Sequence, residues 1–291
     1  MTPVGSLPTP LAFTDSDVLH PEDRTPVVFI HGLWLHSTSW DPWLELFRQR
    51  GYEPYAPGWP GEPDTLPAAN AFPGPMAGTG VKEALDHYES FISGLARPPI
   101  LVGHSFGGLL AQQLLARGSA AGAAALAPTQ FRGVLRLPPV QLKSTLPVLW
   151  NPLNVRRITR QSPQHFRRTF ANAVSARESN DLHATCVMPA PGRPLFQAAL
   201  ANINPRTEVR VDTAAARGPL LLVGAGRDRV VPAPVVRAAA HKYRSPTSIT
   251  EYARIEGSGH SLVIDHGWRV AADTVLGFLA RHGLSPEAVG R

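Results

Sequence analysis

The sequence predicts an α/β chain: a doubly wound, mostly parallel sheet carrying a helical cap insertion. Three observations support this. Short apolar runs alternate with segments of helical period at both ends of the chain. One run leads through Gly103-His104-Ser105-Phe106-Gly107 straight into a helix. From about residue 131 to residue 211 the alternation stops and only helical stretches remain.

The turn at Ser105 is the most informative segment. Pro99 to Val102 reads as a short buried strand. Leu109, Leu110, Leu114 and Leu115 fall close to a 3.6-residue period and mark a helix over 109–117. A G-x-S-x-G between strand and helix suits a sharp, strained turn that lifts the serine hydroxyl above the sheet. Gly103 and Gly107 flank the turn because a Cβ there would crowd strand against helix. The helix N-terminus supplies backbone N–H groups and a positive dipole end where an oxyanion would form. The plain alternative is a glycine-rich turn with an idle serine. The strand before it and the helix after it argue for the chemical reading.

Composition sets outer limits. A length of 291 residues suits one large α/β domain or a domain with an insertion. With 43% hydrophobic and 17% charged residues, a soluble, well-cored protein is expected. Cys186 is the single cysteine, which leaves no intrachain disulfide and no cysteine-rich metal site. No Lys or Arg precedes Arg24 and no long apolar core follows the start, which argues against a secretory signal. No run approaches the roughly 18 apolar residues of a membrane span, so no stable membrane insertion is expected. A cytoplasmic location follows by default. The net charge of +6 is unevenly placed: residues 131–215 hold 12 Lys/Arg and 4 Asp/Glu, and the remainder holds 16 and 18. The excess is either a solvated arginine-rich surface or an attraction for an anionic substrate or surface. No nucleic-acid-binding motif accompanies it, so nucleic acid is not expected as a partner.

In chain order, residues 1–25 are polar and proline-rich, either a short edge strand or a mobile arm. Residues 26–30 read as a buried strand running into His31-Gly32-Leu33-Trp34. Such a strand exit is where an acyl-transfer site places a second oxyanion donor, here the backbone N–H of Leu33 beside that of Phe106. His31 then reads as a buttress of that loop. Residues 37–50 form a helix capped by Ser37 or Ser39, with Trp40, Trp43, Leu44 and Phe47 as its core stripe. A short strand over 52–56 precedes a Pro-, Gly- and Ala-rich loop over 57–80 that crosses the active face. Residues 81–96 are a helix burying Leu85, Tyr88, Phe91 and Ile92. The small-residue run 120–128 reads as a strand by its length and its following proline.

The inserted segment offers helices over 142–146, 163–176, 178–184 and 195–202. The domain reading is therefore a core of residues 1–130 and 216–291 with a cap over 131–215. The sheet resumes with a strand over 219–223, the turn containing Asp228, a helix over 233–243 and a strand over 248–255. A loop holding Gly257, Gly259 and His260 leads to a closing helix over 264–282 with Val270, Val275, Leu276 and Leu279 apolar.

Ser105, Asp228 and His260 each follow a different strand, at the carboxyl edge where open α/β sheets bind ligands. A serine hydroxyl is a weak nucleophile at neutral pH. It needs an imidazole to take its proton and a carboxylate to orient that imidazole. Asp228 also suits a helix N-cap. The rival acid position, after the strand ending at Pro128, holds no carboxylate, and Asp265 lies close to His260 in sequence. His104 reads as a packing or hydrogen-bonding residue.

These motifs together resemble the α/β-hydrolase superfamily: His31-Gly32-Leu33-Trp34, the Ser105 turn, Gly224 through Asp228 to Pro232, and Gly259-His260. The order Ser…Asp…His is also that superfamily's order. The resemblance covers about residues 26–130 and 218–282. It implies a capped esterase, lipase or lysophospholipase-like serine hydrolase with no metal and no organic cofactor. Ser105, Asp228 and His260 would be catalytic. The expected partner is a small-molecule ester or thioester with an apolar part, met by Trp34 and Trp59 on loops at the active face. Ser105 argues against the dehalogenase and epoxide-hydrolase branches, which use aspartate there. The superfamily also holds receptor-like and non-hydrolytic members, and a protein that binds or rearranges a small molecule is the alternative reading.

Overall fold

The computed structural model describes residues 24–286. The arm or edge strand expected over residues 1–25 lies, but for its last two residues, outside them. The first half of the core runs β1 (Pro26–Ile30), α1 (Asp41–Gln49), β2 (Glu53–Tyr55), α2 (Leu66–Ala71), α3 (Val81–Ser93), β3 (Ile100–His104), α4 (Phe106–Ala116) and β4 (Gly122–Leu126). The insertion contributes α5 (Pro139–Leu149), β5 (Ile158–Thr159), α6 (Pro163–Thr169), α7 (Ala176–Cys186), β6 (Ala190–Pro191) and α8 (Arg193–Leu200). The core then closes with β7 (Leu220–Ala225), α9 (Ala233–Ala240), β8 (Thr250–Ile255) and α10 (Trp268–Arg281).

Six strands form one sheet in the order β2-β1-β3-β4-β7-β8, and every neighbouring pair is parallel. The four central strands β1, β3, β4 and β7 are buried throughout, because helices cover both faces of such a sheet. That burial explains their largely apolar sequences, in which His104 at the end of β3 is the polar exception. Ala123, Ala124 and Ala125 pair with β3 on one side and β7 on the other. Their small side chains let α4 pack down on β3 and β4.

Local chemistry explains the departures from expectation. The segment 37–50 is a 3-10 turn, Ser37–Trp40, followed by α1 with Pro42 in its first turn. His36, rather than Ser37 or Ser39, caps that turn by accepting the Thr38 N–H. Its Trp40, Trp43 and Phe47 are core residues. The loop 57–80 contains α2, capped by Thr65 on the Ala68 N–H, and a short 3-10 turn, Gly74–Met76. The helix expected over 163–176 stops at Thr169, and the one expected over 178–184 starts earlier, at Ala176, where Ser175 caps it on the Glu178 N–H. In the insertion, β5 and β6 pair antiparallel over two residues each, too few to leave a periodic signal. The closing helix begins only at Trp268. Val270 is 55% exposed, and Ala271, Val275, Phe278 and Leu279 carry the buried face instead. No helix among the described residues is long and apolar enough to cross a membrane.

Candidate active site

The parallel topology brings the ends of β1, β3, β7 and β8 to one edge of the sheet. Ser105 follows β3 with φ 55° and ψ −117°, a left-handed-side conformation that costs a non-glycine residue of order 1–3 kcal/mol. Backbone hydrogen bonds hold it there: its N–H donates to Leu126 (3.0 Å), and its carbonyl accepts from Thr129 (2.9 Å). The glycines around it are sterically obligatory. A Cβ on Gly103 would sit 2.2 Å from the Gly107 carbonyl oxygen, and one on Gly107 would sit 1.9 Å from that of Ile30.

His260 Nε2 lies 3.0 Å from Ser105 Oγ, and its Nδ1 lies 2.6 Å from Asp228 Oδ2. All three side chains are buried. The carboxylate is an acceptor only, so Nδ1 carries the proton and Nε2 presents its lone pair to the serine hydroxyl. Asp228 Oδ1 accepts the backbone N–H groups of Val230 (2.7 Å) and Val231 (2.8 Å). Those bonds fix the carboxylate and leave Oδ2 for the imidazole. Asp265 is turned away: it takes the Ser261 hydroxyl (2.6 Å) and the Gly267 N–H (3.0 Å). His104 donates from Nε2 to the His260 carbonyl oxygen (2.9 Å). Burial and the neighbouring His260 hold its pKa well below the ordinary histidine value, so it is neutral. From the inserted segment, Phe170 packs edge-on to His260 with ring centroids 4.7 Å apart. Gly259 approaches Ala173 so closely that a Cβ on it would lie 3.1 Å from the Ala173 Cβ.

The His31-Gly32-Leu33-Trp34 turn lies against Ser105. A Cβ on Gly32 would be 2.7 Å from the Ser105 Cβ. Behind the turn is a buried ionic cluster that the sequence did not announce. His31 Nε2 is 2.8 Å from Glu62 Oε2, and His36 Nε2 is 3.6 Å from Glu62 Oε1. The approach of His31 is off the N–H axis, so the attraction is chiefly Coulombic. Its Nδ1 donates to the Gly32 carbonyl oxygen (2.8 Å). Glu62 Oε1 accepts the Ser37 N–H (2.8 Å), and Oε2 accepts the Trp59 N–H (3.2 Å). Burial alone pushes Glu62 up. The charge of His31 above all, with the Ser37 N–H, outweighs it and brings the pKa down to about 2. Burial likewise pulls His31 down, but Glu62 and the Gly32 carbonyl raise it above the ordinary histidine value. Glu62 escaped the sequence reading because it sits in an aperiodic Pro-Gly loop that carries no pattern.

A cavity of about 370 Å³ opens at Ser105. Leu33, Trp34, Phe106, Leu137, Leu142 and Leu195 are among its walls. Trp34 is pinned to the inserted segment through its Nε1–H, which donates to Thr159 Oγ1 (3.2 Å). Trp59, expected to meet substrate, does not line the cavity. Its indole N–H donates to the His31 carbonyl oxygen (3.0 Å), which buries the ring behind the turn. A larger groove of about 880 Å³ lies elsewhere, lined by Lys82, Arg117, Glu208 and Asp212 among others, and has no part of the Ser105 cluster in it. Among the described residues no group of three or more His, Cys, Asp or Glu is placed to hold a metal ion.

A parallel sheet with a serine on a strained strand–helix turn, and a mainly helical insertion after the fourth strand of the sheet, defines an α/β-hydrolase architecture. The sequence from residue 27 to residue 274 matches the alpha/beta hydrolase family, and the chain belongs to that family. No curated protein matches it. Among solved structures it resembles the monoacylglycerol lipase of Paleococcus ferrophilus, at 20% identity and a TM-score of 0.64, over 89% of this chain and 95% of that one. It also resembles a pyrethroid hydrolase from Sphingobium faniae JZ-2, at 18% identity and a TM-score of 0.61, over 88% and 97%. Tomato methylketone synthase I, complexed with 2-tridecanone, is 17% identical with a TM-score of 0.65, over 89% and 99%. These likenesses are of fold.

Proposed function

We propose that this protein is a serine hydrolase that cleaves a carboxylic ester of a hydrophobic small molecule through an acyl-enzyme on Ser105. The observation that carries the reading is the continuous relay from Ser105 Oγ through His260 to Asp228, at 3.0 Å and 2.6 Å. In this reading His260 Nε2 takes the Ser105 proton as Oγ attacks the ester carbonyl carbon. Asp228 stabilises the imidazolium that forms and holds its orientation. The developing oxyanion is met by the backbone N–H groups of Leu33 and Phe106, the latter at the open N-terminus of α4, where the first helical N–H groups have no internal partner. The alcohol leaves with the proton from Nε2. Water then attacks the acyl-enzyme, with His260 again as base, and releases the acid.

The apolar walls of the cavity support a hydrophobic acyl or alcohol part. The strained turn at Ser105 favours an enzyme over a binder, since ligand binding alone gains nothing evident from that cost. A fluorophosphonate probe tests the reading directly. Labelling at Ser105, lost in Ser105→Ala, is expected. No adduct, or an adduct on another residue, would remove Ser105 as nucleophile. Stoichiometric acylation without turnover would favour a receptor-like protein instead.

A further inference from the structure

Helix α5 turns an apolar stripe to solvent, although its Val148 and Leu149 pack against the core. Gln141 and Ser144 point into the protein, 5% and 9% exposed, and the Gln141 side chain bonds Gln130. Leu142, Leu146 and Trp150, at i, i+4 and i+8, face solvent on the opposite side, with Trp150 82% exposed. A helix stripe of that spacing is ordinarily the buried one. Leu135 and Leu137 before the helix, and Leu153 after it, are exposed as well. Leu135, Leu137 and Leu142 are also walls of the cavity at Ser105, so the exposed apolar surface is the rim of that cavity. Six leucine and tryptophan side chains exposed within residues 135–153 are uncommon on a surface that meets only water.

The charge around the rim names its partner. Residues 131–176 contain eight Lys/Arg and no Asp or Glu. Arg136, Lys143, Arg156, Arg157 and Arg160 are all exposed and, among the described residues, make no ion pair with a carboxylate. A self-pairing surface would set these like charges against one another. An apolar stripe bordered by unpaired cations matches an anionic bilayer, which takes the leucines and tryptophan below its headgroups and the arginines at them.

We propose that the rim formed by α5 and its flanking segments docks peripherally on an anionic phospholipid bilayer, with the mouth of the Ser105 cavity facing the lipid. The docking does not depend on the hydrolase reading, and its test uses no turnover. Of the six tryptophans, Trp150 alone is exposed, so its fluorescence reports insertion. The protein should sediment with phosphatidylcholine vesicles containing phosphatidylglycerol, with a blue shift in emission. It should bind pure phosphatidylcholine vesicles at least roughly tenfold more weakly, and added salt should release it. Leu146→Glu with Trp150→Glu, and separately Arg156→Glu with Arg157→Glu, should each lower vesicle partitioning about tenfold or more. All four positions are exposed, and thermal melts matching the parent establish that the variants fold. Absence of binding to anionic vesicles at low salt overturns the proposal. So does equal partitioning of parent and variants, or self-association that Trp150→Glu abolishes while vesicles have no effect. Fluorophosphonate labelling of Ser105 is read separately, so the two claims fail independently.

Discussion

Glu62 Oε2 sits 2.8 Å from His31 Nε2, with both side chains sealed from solvent directly behind the turn that bears Leu33. Removing one partner of such a pair leaves a buried charge without compensation. Glu62→Gln should therefore destabilise the fold by on the order of 3 kcal/mol near pH 6, read from urea unfolding. The pH dependence has a definite sign. The folded pKa of Glu62, about 2, lies below its ordinary value of 4.5, so its contribution is present above pH 4.5 and lost as pH falls toward 2. His31 is raised above 6.5, so its contribution is present below 6.5 and lost as pH rises through its folded value. The stability gap between parent and Glu62→Gln should be widest between about pH 4.5 and 6.5. A gap independent of pH would mean that the pair is not ionised.

Asp228→Asn tests the orientation of His260. The amide oxygen keeps the acceptor role toward Val230 and Val231, so the loop stays in place. The amide nitrogen then faces Nδ1 and favours the wrong tautomer, with the proton on Nε2. Ester turnover should drop about 10³- to 10⁴-fold while the melting temperature changes little. A loss below about tenfold would reassign the acid.

Two glycines make a paired test of the turn's geometry. Gly107→Ala would drive a Cβ to 1.9 Å from the Ile30 backbone, where nothing flexible can yield. It should cost more than about 3 kcal/mol or prevent folding. Gly257 has φ +77° and open space where its Cβ would go. Gly257→Ala should cost only about 1–2 kcal/mol, the left-handed penalty alone. Similar melting temperatures for the two variants would contradict the packing described for β1 against α4.

The cavity predicts a chain-length ladder. Each methylene buried in an apolar pocket contributes about 0.8 kcal/mol, or roughly fourfold in kcat/KM, until the walls are met. A series of p-nitrophenyl esters should rise with acyl length before falling. Best activity on acetate, with no gain from longer chains, would argue against an apolar substrate.

The sequence by itself determined the order of strands and helices in the core, because buried parallel strands must be short apolar runs and the helices between them are longer, with apolar residues at helical spacing. It also marked Ser105, Asp228 and His260. Each occupies the short turn after a strand, and glycines whose Cβ atoms would collide must stay glycine. Tertiary structure decided what depends on contacts between distant segments. Trp34 and Trp59 are both indoles on loops after strands, yet one faces the cavity and the other bonds the His31 carbonyl behind it. Glu62 became the partner of His31 only when β1 and β2 paired and brought their following loops together. The outward turn of α5 follows from the same cause. The period of a helix shows which side chains share a face, and only the packing of the whole chain shows which way that face points.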